Sequence, residues 1–363
     1  MVCNKSNVFC LINYKLIFFV IVAFVLLINS SLPKNFQEAE NEQKRIFIIF
    51  SYPIGPWTKG ILRGFEQKLK NGNVKYELKT YVYHSLYFIN KSDTVIREEI
   101  ETIKQKIKDF KADYIIVFDD EAADEIVSKM YSLEIPILFG GINKKKEDVK
   151  WLKKNRNITG YFEWFPYGKS LNLLLNLTNN KVKKISIISS QNPTSKIIID
   201  QMKTFFEEEN KTQVKLSKIY KYEKWTEWKN AVLEMNKSVD ACYLVLPYNV
   251  VDKQGIRMDL KVMANWLQAN VKIPGLAISA VGLSMGMIAT IAITPEIVGE
   301  DLGNLIYKNV KKNISINKMT YQSQSKGEIM INKSKMDLLG LKIPIDLLNY
   351  AIIYNNPKLN MEE

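Results

Sequence analysis

The sequence predicts an α/β protein of two similar lobes, each a parallel sheet flanked by helices, and two observations carry that prediction. The first is residues 113–143, DYIIVFDDEAADEIVSKMYSLEIPILFGGIN, in which two buried-strand patterns are joined by one helix. Residues 114–118 and 135–139 are rich in β-branched and aromatic side chains and lack polar alternation, so both strands are expected to be covered on two faces. Ala122, Ala123, Ile126, Val127 and Met130 recur at helical spacing between them, with Asp119 or Asp120 available as a cap. The second observation is that the same strand and helix alternation starts afresh after residue 157.

In order, residues 45–51 (RIFIIFS) form a first buried strand, followed by the loop SYPIGPW. Trp57, Ile61, Phe65 and Leu69 stripe a helix that stops at Asn71-Gly72. A strand over 74–82 precedes a helix with Ile96, Ile100, Ile103, Ile107 and Phe110. Beyond a Lys-rich loop, Leu171, Leu174, Leu175 and Leu177 mark a helix and 185–189 a strand, and the loop SSQNPTS opens a helix with Ile198, Met202, Phe205 and Phe206. A strand over 214–220, a helix with Trp225, Trp228, Val232 and Met235, and a buried strand over 241–246 follow. A helix with Leu260, Met263, Ala264 and Leu267 then leads into a strand over 273–278. Small residues and Met across 281–293 suit close packing of strands, and Pro295 opens a helix with Val298, Leu302, Leu305 and Ile306. The strand EIMIN and a final apolar run to Tyr354 end the pattern.

With 363 residues, 47% of them hydrophobic, the chain can bury more than one core. Its net charge of +13 comes from Lys dispersed along helices with no basic cluster interleaved with aromatics, which is a solvated surface and not a nucleic-acid footprint. One histidine, His84, and three cysteines leave almost nothing for a His-based triad or a zinc site. Cys242 reads as a small core residue and His84 as a polar residue at a strand end.

Lys5 and Lys15 precede an uninterrupted apolar run over 16–28, which fits a signal-peptide core or, extended back to Phe9, a tilted anchor. Ser30 and Ser31 offer a cleavage site, and no cysteine follows the run as a lipoprotein signal requires. Positive charge before the run and Glu38, Glu40 and Glu42 after it place the remaining chain outside the cytoplasm, whether cleaved or tethered.

Six stretches in this order and spacing resemble the substrate-binding proteins of ABC transporters: SYPIGPWTKGILRGF (51–65), FDDEAADE (118–125), IPILFGGIN (135–143), NITGYFE (157–163), PTS (193–195) and INKSKMDLLGLKIP (331–344). The resemblance covers nearly everything from Arg45 to Tyr354 and extends to a branch serving as extracytoplasmic sensors. It implies a type I periplasmic-binding fold: two Rossmann-like lobes, a hinge of three crossing strands, and a ligand enclosed by closure. By that analogy the crossings fall near 157–161, 278–281 and 324–328. Residues 1–43 are then signal or anchor, 44–160 with 279–325 the first lobe, and 161–278 with 326–356 the second. Where the sensor branch commonly has His-Pro, this chain has Tyr52-Pro53, so no imidazole contact carries over.

Loops at strand ends supply groups that stay wet until a cleft closes. Ser51, Tyr52 and Trp57 would wall a planar or apolar ligand portion, although Trp57 also heads an apolar helical stripe. Asp119, Asp120 and Glu121 would receive an ammonium or hydroxyls, with helix capping an equal use for one of them. Gly140, Gly141 and Asn143 permit a close backbone approach or form an ordinary turn. Glu163 lies just past the first crossing. Ser189, Ser190, Thr194 and Ser195 flank a helix start whose free amides suit a carboxylate or phosphate, Thr194 being also a plausible cap. Tyr248, Asn249 and Ser279 complete the ring.

A carboxylate pair such as Glu163 with Asp119 or Asp120 would suit glycoside hydrolysis, but sequence spacing does not fix their separation, and no nucleophile elbow, P-loop or dinucleotide fingerprint is present. The expectation is therefore a monomeric, cofactor-free and metal-free uptake protein that presents a small ligand to a membrane permease, with an amino acid or similar amine as the default. The alternative is a sensing module that hands its closed state to a sensor kinase.

Overall fold

The computed structural model describes residues 42–85, 91–153, 157–163, 165–324 and 326–357. The expected signal or anchor segment lies outside them, apart from its last two residues. No helix among the described residues is long and apolar enough to cross a membrane.

The first sheet is built from β1 (Lys44–Phe50), β2 (Tyr76–Val82), β3 (Tyr114–Phe118), β4 (Ile137–Ile142) and β5 (Ile158–Phe162), joined through helices. The main connections are α1 (Pro56–Asn71), α2 (Asp93–Phe110) and the segment α3, which runs from Asp120–Ala122 through a π-helical turn Ala123–Val127 to Ser128–Met130. The second sheet takes in β6 (Lys184–Ser189), β7 (Lys215–Lys221), β8 (Ala241–Leu244), β9 (Gly275–Ala277) and β10 (Ala289–Ala292). Its helices are α4 (Tyr167–Leu177), α5 (Pro193–Thr204), α6 (Trp225–Ser238), α7 (Leu260–Asn270) and the short α8 (Val281–Ser284). The chain then returns to the first lobe with α9 (Pro295–Lys312) and β11 (Gln322–Ser323), and ends in the second with β12 (Glu328–Asn332), α10 (Lys333–Leu338) and β13 (Ile352–Tyr354).

Strand order is β11-β5-β4-β3-β1-β2 in one sheet and β13-β12-β10-β9-β8-β6-β7 in the other. Every pairing is parallel except β10 with β12. Alternate residues feed cores on opposite faces: Ile46, Ile48 and Phe50 pack on one side of β1, Phe47 and Ile49 on the other. That two-sided burial is why β3 and β4 read as unbroken apolar runs.

The middle change of sheet differs from the expected one. β9 and β10 pair side by side in the second sheet, so the chain leaves that lobe at 293–294 and not at 278–281. The helix α8 and its following turn, with Gly286 at φ 85°, fold residues 279–288 back into register with β9, a reversal for which 279–293 carries no strong punctuation. The other two changes lie between Phe162 and Tyr167 and between Ser323 and Glu328.

In the first lobe α1 and α9 cross almost in backbone contact. A Cβ at Gly64 would sit 2.0 Å from the Glu296 carbonyl oxygen, and one at Gly299 would sit 1.9 Å from that of Ile61. Only hydrogen fits at either point.

Candidate functional site

At the carboxyl end of the first sheet one group of polar side chains is knitted together by short contacts. Buried Ser51, directly after β1, donates its hydroxyl to the Phe118 carbonyl at 3.0 Å and accepts from the Ala122 N–H at 3.0 Å. It thereby fastens the β1 loop to the start of α3. Asp119 sits at φ 68° and ψ 155°, an extended positive-φ backbone that is otherwise nearly confined to glycine and costs about 1–3 kcal/mol for a residue with a Cβ. Its N–H donates to the Gly140 carbonyl at 3.0 Å, and its carboxylate accepts from the Ser51 N–H. Gly141, at φ 69°, leaves room for that carboxylate: an added Cβ would lie 3.0 Å from Asp119 Oδ1.

Asp120 is buried and accepts from the N–H groups of Asn143 at 3.0 Å and Lys144 at 3.2 Å, pinning the β4 loop. Its carboxylate is thus used by the fold. Tyr52 hydrogen-bonds Glu121, and burial first, then this carboxylate, push the phenol's pKa up. Trp57, in the first turn of α1, is 44% exposed, so it does not pack inward as the head of a stripe.

Asp119 is held well above the usual carboxylate range by burial, with the negative charges of Glu163, Glu121 and Asp120 adding to it. Glu163, which follows β5 where the chain leaves this lobe, is pushed up to about 7 by burial and by Asp120. Asn143 donates its amide to the Gly141 carbonyl at 3.3 Å, and its Oδ1 is buried with no hydrogen-bond partner. The group is therefore rich in acceptors and short of donors, the arrangement that a bound ammonium would satisfy.

In the second lobe the carboxyl ends of β6 and β8 carry the remaining candidates. Ser190 donates to the Leu246 carbonyl at 2.7 Å and accepts from the Asn192 amide at 2.9 Å. Asn192, and not Thr194, caps α5 by accepting from the Ser195 N–H at 2.8 Å. The cap is an Asn just before Pro193, an arrangement the SSQNPTS loop allowed but did not single out. Ser195 is 1% exposed and its hydroxyl has no partner. Tyr248 is half-buried, its phenol raised by burial against the opposing charge of Arg257. Asn249 is exposed at φ 66°, and Ser279 follows β9 half-buried.

A hydrogen bond runs from the second lobe to the first group: Gln201 Nε2 on α5 donates to the Asn143 carbonyl at 2.6 Å. Near it lies a cavity of about 610 Å³ bounded by the β4 loop, the first and third crossings, the start of α4 and the end of α5. Of the residues singled out in the sequence only Glu163 lines it. Lys146, Gln201, Phe205 and Tyr321 were not legible as site residues, because three separate stretches supply them and none carries a local motif.

Two lobes with parallel sheets, a chain that passes between them three times, and polar loops at the carboxyl ends of both sheets define a bilobal binding protein of the periplasmic-binding fold. The chain belongs to the ABC transporter substrate binding protein family, whose model matches residues 56–353. That is a family of binding proteins rather than of enzymes. Among curated proteins none matches the sequence significantly. Solved structures with similar folds include an ABC domain from Streptococcus pneumonia in complex with L-Trp, 19% identical, covering 85% of this chain and 100% of that one at a TM-score of 0.57. They include as well the ligand-free, open structure of CD0873, a substrate binding protein with adhesive properties from Clostridium difficile (17% identical, 86% and 100% covered, TM-score 0.63). A conserved domain protein from Vibrio cholerae is 16% identical, with 86% and 100% covered and a TM-score of 0.59.

Proposed function

We propose that the protein captures a free amino acid, with an aromatic or apolar side chain, outside the cytoplasm and presents it to a membrane permease without altering it. Closure about the three crossings would bring the acceptor-rich group of the first lobe toward the start of α5 in the second. The ligand's ammonium then lies against Asp119, Glu163 and Asn143 Oδ1. Its carboxylate lies against the Thr194 N–H and the Ser195 hydroxyl at the start of α5, where the helix dipole favours negative charge. Tyr52, Trp57 and Tyr248 flank the side chain.

The observation that carries this reading is a complementary pair of unmet groups: Asn143 Oδ1, buried without a donor beside the carboxylates of Asp119 and Glu163 in one lobe, and the Ser195 hydroxyl, buried without a partner at a helix start in the other. The structure with L-Trp supports the ligand class by fold similarity alone. A thermal-shift screen of amino acids, purines, sugars and small peptides tests it. A ligand at a hundred times its dissociation constant adds about 2.7 kcal/mol of stability. We expect amino acids alone to raise the melting temperature; a rise with sugars and none with amino acids would refute the assignment.

A further inference from the structure

The cavity beside the crossings has a chemistry unlike that of the acidic group. Three consecutive lysines, Lys144, Lys145 and Lys146, reach it from the first lobe, and Lys169 from the second. Two carboxylates, Glu163 and Glu209, oppose them, leaving a formal surplus of two positive charges on the lining before any protonation of Glu163. Lys144 is committed to an ion pair with Asp124, whereas Lys145 makes no ion pair among the described residues. The Lys146 ammonium stands over the Tyr321 ring, 4.7 Å from its centroid.

One wall is aromatic. Phe165 stacks on Tyr167 with centroids 6.0 Å apart, and Tyr167 meets Phe205 at 5.7 Å. A slot about 610 Å³ in volume, lined by Phe165, Tyr167, Phe205 and Tyr321 together with lysines from both lobes, matches a flat ring carrying a compact negative charge. Gln201 joins this wall to the first lobe, accepting from the Tyr167 hydroxyl at 3.1 Å while donating to the Asn143 carbonyl.

We propose that this cavity is a second binding site, adjoining the amino-acid site at Glu163, that takes a small aromatic anion and ties the β4 loop of the first lobe to α4 and α5 of the second. Because both lobes line the site, its occupant binds best when they are drawn together.

Calorimetric titration of the full-length chain with phenyl phosphate tests the assignment, with benzyl alcohol as the uncharged counterpart. The expected result is a submillimolar dissociation constant for phenyl phosphate and at least tenfold weaker binding of benzyl alcohol. Lys145→Glu combined with Lys146→Glu should weaken phenyl phosphate binding at least tenfold. Lys215→Glu with Lys221→Glu, the same charge change on exposed β7, should leave it within threefold. Gly168 offers a steric variant: its added Cβ would meet Phe205 at an ordinary 3.6 Å, so Gly168→Leu grows into the slot without backbone strain and should also abolish binding. No binding to the native chain, equal losses in the two lysine pairs, or undiminished binding to Gly168→Leu would each overturn the proposal.

Discussion

Glu163 is the residue on which pH acts most directly. Its native pKa of about 7 lies above the ordinary 4.5, so the native state binds the extra proton between those values. Its contribution to stability is therefore full below about pH 4.5, is lost as pH rises through 7, and is constant beyond, a change of about 3 kcal/mol. Glu163→Gln should make the protein more stable at pH 8, by up to about 3 kcal/mol, and flatten the pH dependence; urea unfolding at pH 5 and pH 8 measures both. The same carboxylate must be ionised to hold an ammonium. Native affinity for an amino acid should thus fall up to about tenfold from pH 8 to pH 6, with proton release on binding at the lower pH. Ser195→Ala separates structure from function: its hydroxyl has no partner, so stability should change by less than about 0.5 kcal/mol while amino-acid affinity drops roughly five- to tenfold. An equal loss of stability and affinity would mean that Ser195 serves the fold.

The elements hold these residues in place through contacts that can be broken singly. Asp120→Ala leaves two backbone donors of the β4 loop without their acceptor and should cost about 1–3 kcal/mol, read from the urea midpoint. Gly299→Ala forces a methyl onto the Ile61 carbonyl and should cost 1–3 kcal/mol or more, because α1 and α9 cannot part without opening the core between them. The strand and helix alternation was plain in the sequence because β3, β4 and β6 are covered on both faces and keep their apolar runs intact. The loop positions Ser51, Asp119 and Asn143 could be named for the same reason, since parallel strands put their polar residues at the carboxyl ends. Their tasks were less legible. Asp119, Asp120 and Glu121 look alike in sequence, yet the first faces the acceptor group, the second holds two backbone N–H groups and the third pairs with Tyr52. The sheet membership of 279–292 was hidden because register with β9 depends on a turn, not on composition.

For the whole molecule the account requires two bodies that approach one another over a ligand. The Gln201 to Asn143 hydrogen bond spans that approach, so Gln201→Ala should weaken amino-acid binding a fewfold and, because it also leaves the Tyr167 hydroxyl without its acceptor, lower the melting temperature of the free protein as well. Small-angle scattering should show a smaller radius of gyration with amino acid present than without, and an unchanged radius would remove the closure step. The central claim, that the two lobes read the two charged ends of one zwitterion, is met most directly by isothermal titration of L-tryptophan, tryptamine and arabinose into the protein at pH 8. The account predicts that L-tryptophan binds, that tryptamine, lacking the carboxylate, binds at least tenfold more weakly, and that arabinose gives no heat. Tryptamine binding as tightly as L-tryptophan, or arabinose binding in place of both, would contradict it.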